Sequence, residues 1–284
     1  LSPNYLIRKT ASFYIEFFRN VPLLLQIFFW YFAALRALPM PQDATMILGS
    51  SFMTIKGFYT PAPIWTNFDV FFTTLIIAMI LVFFFVKFAK IKQEQEGKQL
   101  PVFIISLAIF IGLPLLTFLV GGVDLSFSFP ELRKMSQSSY TFDGGMGIPP
   151  ELIALTLALT LYTATFIAEN VRAGIQGIGK GQKEAAASIG LTPSQVLKLV
   201  IMPQALRIII PPTTNQYLNL TKNSSLAAAI AYPDLVLVFA GTAMMQTGKA
   251  IEIVGITMAT YLTISIAISL LMNWYNQRIA IKEK

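Results

Sequence analysis

Four long runs without a single Lys, Arg, Asp or Glu constrain this chain more than anything else in it: Val70–Val86, Gln99–Val123, Leu152–Ala168 and Ile253–Tyr275. About twenty apolar residues in a helix cross the hydrocarbon core of a bilayer. Backbone in lipid must satisfy its own hydrogen bonds, so such runs read as transmembrane helices. Ala11–Leu35 is a fifth candidate, apolar apart from Glu16, Arg19, Asn20 and Gln26. A sixth re-enters the apolar phase at Pro203. The expectation is an all-α, polytopic membrane protein with about six spans. Composition agrees: 55% of residues are hydrophobic and 12% charged, against about 25% charged in soluble domains.

The absences exclude several chemistries. With no Cys there is neither a disulfide nor a thiolate metal site. With no His the commonest metal ligand and general base is missing. No paired-carboxylate constellation stands out, so no catalytic residue, metal site or cofactor is assigned to the chain. A net charge of +7 invites a nucleic-acid partner. The charges, however, fall in short groups between apolar runs. The 23 Phe residues read as lipid-facing bulk rather than a stacking platform for bases.

Those groups set an orientation. Arg8, Lys9, Lys87, Lys90, Lys92, Lys98, Arg172, Lys180, Lys183, Lys198, Arg207, Arg278, Lys282 and Lys284 fall on one side. Arg36, Lys56, Arg133, Lys134 and Lys249 fall on the other. Lys and Arg accumulate on the cytoplasmic side, so the C-terminus and the 172–207 loop are placed in the cytoplasm. Six spans also return the chain to its starting side.

Between two spans lies a polar, Ala-rich stretch, Lys183-Glu184-Ala185-Ala186-Ala187-Ser188-Ile189-Gly190. Three consecutive Ala favour helix, and Gly190 is placed to end it. Thr192 as N-cap and Pro193 at the first helical position then open a second helix. Just upstream, Gly174-Ile175-Gln176-Gly177-Ile178-Gly179-Lys180 fits the first seven places of a P-loop. Gly181 stands where Ser or Thr would ligate Mg²⁺, and the stretch follows a helix rather than a strand. It is not read as a nucleotide site.

Glu184-Ala185-Ala186, three residues, Gly190, nine residues, then Val200-Ile201-Met202-Pro203 resembles the cytoplasmic EAA loop of ABC importer permeases, here spanning about 181–203. Val and Met stand where Ile and Leu are usual. Arg19-Asn20-Val21-Pro22-Leu23-Leu24-Leu25-Gln26, Thr221-Lys222-Asn223-Ser224-Ser225-Leu226 and Tyr232-Pro233-Asp234-Leu235 resemble segments of the polar amino acid branch. The resemblance covers 1–35 and 149–284. The 36–148 stretch, read as external loops plus an inserted helical hairpin (spans about 70–86 and 99–123), matches only the larger permeases of general L-amino acid importers.

The resemblance implies a type I ABC importer permease fold of the methionine-importer-like kind. It implies a bacterial inner-membrane location and alternating access. Its partners would be a second permease in a heterodimer, two ATP-binding subunits carrying the ATP and Mg, a periplasmic amino-acid-binding protein and membrane lipid. It implies that Lys183, Glu184, Ala185, Ala186 and Gly190 couple to the ATPase, and that Arg19, Asn20, Pro22 and Gln26 form a gate motif. The chain begins at Leu1 without Met, and the resemblance places at least one further helix upstream.

Polar groups are costly in hydrocarbon unless paired. Asn215, Asn219 and Asn223 recur every four residues, with Lys222, Ser224 and Ser225 beside them. An ionisable residue in a span is a functional candidate. These residues read either as a polar wall of a translocation path, Lys222 facing a substrate carboxylate, or as pairing across a subunit interface. Glu169 is a second path candidate, although Arg172, three residues on, is a ready partner. Arg19 fits a gate or an interfacial, snorkelling cation. A gradient-driven secondary transporter or channel would explain the spans and Lys222 but not the Ala-rich helix.

Overall fold

The structure is a computed structural model describing residues 4–47, 49–97, 99–120, 124–136 and 140–279. Lys98, Lys282 and Lys284, counted in the orientation, and the end of the 99–123 run lie outside these residues. The chain divides into two units, one of residues 1–39, 54–57 and 148–284, the other of 40–53 and 58–147.

The first apolar stretch is not one straight helix. Helix α1 (Tyr5–Asn20) and helix α2 (Leu23–Phe28), which continues in looser turns to Ala37, are bent by 102°. Unbroken, Tyr5–Ala37 would be about 50 Å long, well beyond the ~30 Å core. Pro22 causes the break: it lacks an N–H, and it holds Val21 in an extended conformation (ψ 129°). Gln26, 5% exposed, mends the break, its Nε2 donating to Phe18 O (2.8 Å) and Val21 O (3.0 Å). Gln26→Leu leaves two carbonyls unpaired. It should destabilise the fold by about 1–3 kcal/mol per lost bond. A lower unfolding temperature in detergent is the expected result, with Gln26→Glu no better than Gln26→Leu, because a carboxylate only accepts and cannot donate to Phe18 O or Val21 O.

The second unit holds most of 36–148. Its Pro- and Gly-rich part, expected to be loop, forms short strands: β1 (Met46–Ile47), β2 (Ser51–Thr54), β3 (Gly57–Thr60) and β4 (Ala62–Thr66). Tight hairpins need only a local turn, which Ile55-Lys56 supplies between β2 and β3. Helix α3 (Phe68–Glu96) and helix α4 (Val102–Val120) pack along each other. They are apolar on nearly every face and mostly exposed, as lipid-facing helices are. Lys87, Lys90 and Lys92, expected in a turn, ride the last turns of α3. Lys, Gln and Glu favour helix, and the chain turns only at Gly97 (φ +68°). Strand β4 pairs with β5 (Asp124–Ser128), so a two-stranded ribbon closes the foot of the hairpin. Strands β6 (Glu131–Lys134) and β7 (Tyr140–Asp143) form a second ribbon, pinned by Arg133–Asp143 at 2.8 Å; β8 (Met146–Ile148) follows.

In the first unit, helix α5 (Pro150–Gln176) is the central post. Ala154, Ala158, Leu155, Leu159 and Thr163 line its buried face, and small residues there let neighbours approach closely. It packs against α1 and α2. Tyr14 Oη donates to Leu161 O (2.9 Å), and Tyr31 Oη to Glu151 Oε1 (2.8 Å). Helix α6 (Lys180–Ser188) and the single turn α7 (Pro193–Gln195) lead through a π-helical stretch, Val196–Ile201, into helix α8 (Met202–Asn223). Pro211-Pro212, a pair that read in the sequence as a helix interruption because both residues lack an N–H, lies inside α8 without ending it. The helix is carried through by its packing on α5; the Thr213 and Thr214 hydroxyls donate to Ile209 O (2.7 Å) and Ile210 O (3.1 Å), not to the carbonyls of Arg207 and Ile208 that the two prolines leave without an i→i−4 amide. A 3-10 segment ends at Ala231 (φ +58°). Asp234 then caps the next apolar helix by accepting from Leu237 N (2.9 Å). That helix ends in α9 (Met244–Thr247), and Gly248 (φ +67°) turns the chain into helix α10 (Ala250–Ile279), which packs on α8. Among the described residues, five helices are long and apolar enough to cross a membrane, or six if the bent α1–α2 pair counts as one.

Candidate functional site

The Ala-rich helix α6 is fixed at its C-terminal end. At its C-terminus Leu191 N donates to Ala186 O (3.2 Å) and Gly190 N to Ala187 O (3.0 Å), with Gly190 at φ +83°. This paired pattern is the Schellman stop, and the left-handed residue in it is usually Gly. One residue later Thr192 accepts from Gln195 N while the Gln195 side chain accepts from Thr192 N, a capping box that starts the next helix. The loop folds onto the post through a buried cluster of Ile178, Ala186, Val196, Ile201, Ala205 and Ile209.

That packing divides the residues singled out for coupling. Ala186, 5% exposed, points inward and anchors. Glu184 and Ala185 are exposed, Lys183 is half-buried, and Gly190 sits at the outer corner. A Cβ on Gly190 would meet nothing within 4 Å. The sequence reading missed Ile189, which is 77% exposed beside Gly190. Its signal was there: an apolar residue placed between Ser188 and a helix-ending Gly. Gly174 of the P-loop-like stretch serves packing, lying against Ile209 and Ala205 O, whereas Gly179 faces open space.

The other candidates fall into separate places. Arg19 and Glu169 come together in a polar cavity of about 610 Å³ between α1 and α5, lined also by Arg8, Ser12, Glu16, Arg172 and Gln176. Within it Glu169 Oε2 accepts from Arg172 Nη2 (2.7 Å) and Nε (3.0 Å), and Arg172 Nη1 donates to Gln176 Oε1 (3.1 Å). Glu169 is thus the paired residue that its spacing to Arg172 indicated. Asn20 and Pro22 are exposed at the α1–α2 break, and Gln26 is buried there.

On α8 the polar residues diverge. Asn215 lines a groove of about 510 Å³ with Pro211, Thr214 and, from α10, Ser269, Asn273 and Asn276. Lys222 and Ser225 line a different cleft, of about 380 Å³, with Thr257, Met258 and Tyr261. Asn219 is exposed, and Asn223 and Ser224 are half-buried. Ser224 and Ser225 donate back to Thr221 O and Lys222 O, both at 2.7 Å, so their hydroxyls are satisfied within the helix. Ser269, Asn273 and Asn276 escaped the sequence reading because they are diluted in the last apolar run. Their spacing of four and three puts them on one helix face.

These features define a class: a multi-pass helical membrane protein that presents a short, stiffly mounted polar helix between spans. Residues 68–281 match the family model described as binding-protein-dependent transport system inner membrane component. The putative amino-acid ABC transporter permease protein YhdX of Escherichia coli (strain K12) is 51% identical over 100% of this chain and 71% of its own length. The general L-amino acid transport system permease protein AapQ of Rhizobium johnstonii is 46% identical over 100% of this chain and 70% of its own. Among solved structures, a crystal structure titled as an amino acid ABC transporter with histidines is 25% identical, covering 74% of this chain and 94% of that one at a TM-score of 0.42. The chain therefore belongs to the family of inner membrane components of binding-protein-dependent transport systems. The gradient-driven carrier finds no support among these relatives.

Proposed function

We propose that this chain is the permease subunit of an ABC importer for polar L-amino acids in the bacterial inner membrane. The names of its relatives support the substrate class. The observation that carries the mechanism is helix α6, clamped by a Schellman stop and a capping box, with Glu184, Ala185 and Ile189 turned outward.

In this reading the 172–207 loop and the C-terminus are cytoplasmic. A separate ATPase dimer, which holds the ATP and Mg, receives α6. When the dimer closes on ATP, the push passes through the buried cluster into α5 and α8. This chain then rocks against a second permease, more readily a different chain than a copy. A periplasmic binding protein delivers the amino acid to the opened cavity, and hydrolysis returns the cavity to the inside. The Asn215 groove and the Lys222 cleft are the polar surfaces offered to the zwitterion. Amides can meet both its ends, and Lys222 can meet its carboxylate. Residues 36–148 form the external loops and an added lipid-facing hairpin.

The test is uptake by the complete complex in proteoliposomes, competed by each of the twenty amino acids. Polar amino acids should compete and apolar ones should not. Asn215→Leu and Lys222→Met are expected to change the rate or the competition profile by about threefold to tenfold, the worth of one lost charged or polar contact. Unchanged rates and profiles in both variants would place the path elsewhere.

A further inference from the structure

Helix α1 divides its circumference sharply. At 100° per residue Arg8, Arg19, Ser12, Glu16, Lys9 and Asn20 fall on one arc about a third of the way round. Everything else on the helix except Tyr5 and Thr10 is Ala or a larger apolar or aromatic residue. Tyr14 spends part of that apolar arc on α5, through its bond to Leu161 O. Leu6, Phe13 and Phe17 form the remaining edge, at 72%, 70% and 50% exposure. A helix crossing a bilayer carries a polar arc only where it faces other protein or a water-filled path, not beside an exposed apolar edge. A helix lying along the bilayer surface requires such an arc.

Two further observations place it. The polar arc opens onto the cavity shared with Glu169, Arg172 and Gln176. Glu169 is nineteen residues beyond Pro150 on α5, about 28 Å along the helix, which is one border of a ~30 Å core. The 102° bend at Val21-Pro22 then sets α1 across the direction of α2. The Arg8 and Lys9 charges both approach the exposed Tyr5 ring (5.9 Å each), an aromatic–cation grouping typical of the headgroup level.

We propose that α1 lies in the plane of the membrane surface, Leu6, Phe13 and Phe17 in hydrocarbon and Arg8, Lys9 and Arg19 against the headgroups of anionic phospholipids. The charge complementarity decides the occupant: the α1 arc carries three cations and one carboxylate, Glu16. The anionic leaflet attracts such segments with about 1 kcal/mol per basic residue. That the leaflet is the cytoplasmic one rests on the orientation proposed above; the in-plane placement does not. Leu23–Ala37, about 22 Å long, then enters the ~30 Å core without crossing it alone. The Pro22 break becomes the corner between a surface strut and the segment that dips into the bilayer.

The chain contains no Cys, so single spin labels can be placed along α1 in the complete complex, reconstituted in phosphatidylethanolamine–phosphatidylglycerol vesicles. Collision with oxygen and with a nickel chelate reads the depth of each. The expected profile oscillates every three to four residues, deepest at 6, 13 and 17 and shallowest at 8, 12 and 16, with no trend along the helix. A steady change of depth from 6 to 17 would mean a crossing helix and overturn the proposal. Labels at 6, 13 and 17 that meet neither probe would mean another protein segment covers that edge, which also overturns it. Adding the nickel chelate to one side only reports the leaflet, and so tests the orientation separately. Spin-labelled phosphatidylglycerol should be held about twofold or more over phosphatidylcholine, and Arg8→Gln with Lys9→Gln should erase that preference. Equal retention of the two lipids by the unaltered complex would refute the headgroup contact.

Discussion

Uptake should fall to background in the Gly190→Asp and Glu184→Lys variants while the permease still folds and reaches the membrane. The structure separates the two outcomes. A side chain on Gly190 would meet nothing within 4 Å inside the chain. Its intrinsic cost is the left-handed backbone at φ +83°, about 1–2 kcal/mol. Gly190→Asn makes the same backbone demand as Asp, since both tolerate the left-handed region, but without the charge. Asn should therefore keep most uptake and Asp should not. Glu184 is exposed at the same surface, and among the described residues its side chain has no charged partner that a reversal would disturb. A drop of more than about tenfold in uptake corresponds to more than about 1.4 kcal/mol of docking energy, a modest demand on a charge-reversed contact. Intact uptake in both variants would remove α6 from the coupling role.

Gly174→Val is expected to do the opposite kind of damage, to the scaffold itself. A Cβ at 174 would run into Ile209 Cγ1 and lie 3.1 Å from Ile209 Cδ1 and 3.2 Å from Ala205 O. Ile209 can rotate, but the carbonyl belongs to α8 and cannot. Overpacking of this kind costs about 1–3 kcal/mol, which for a chain of this size lowers the unfolding midpoint by roughly 2–4 °C per kcal/mol. Gly181→Ala, whose Cβ would stand in open space, should shift it little. Combining Gly174→Ala with Ile209→Ala should recover part of the loss, since the clash is with that one side chain. Equal stability of Gly174→Val and the parent would mean that α5 and α8 do not meet at this point.

Much of this was legible because membrane helices announce themselves by length. Val70–Val86 and Leu152–Ala168 needed no tertiary information to be read as spans. The helix stop at Gly190 and the start at Thr192 were equally legible, since caps are local chemistry. Pro22 announced a break but not its size: the 102° angle depends on how α1 and α2 each pack on α5. Pro211-Pro212 misled because the packing that holds a helix together through missing amides is not local. The short strands between 46 and 66 were hidden by the same Gly and Pro residues that make their turns. Among candidate site residues, the sequence could show that Asn215, Asn219 and Asn223 share a helix face. It could not show that α10 takes Asn215 into a groove with Asn273 and Asn276, while Lys222 lines a separate cleft with Tyr261. Which neighbour a helix face meets is a property of the packed bundle. Ala186 makes the same point from inside the EAA sequence: three similar alanines, of which one is buried and two are exposed.

The most direct test of the account uses Ser188→Cys as the only thiol in the chain, on the exposed side of α6. Membrane-impermeant maleimide is applied to right-side-out and inside-out vesicles, with and without the ATPase subunits. The account predicts labelling in inside-out vesicles alone, and protection when the ATPase is bound. Labelling in right-side-out vesicles would contradict it, because no cytoplasmic motor could then reach the helix.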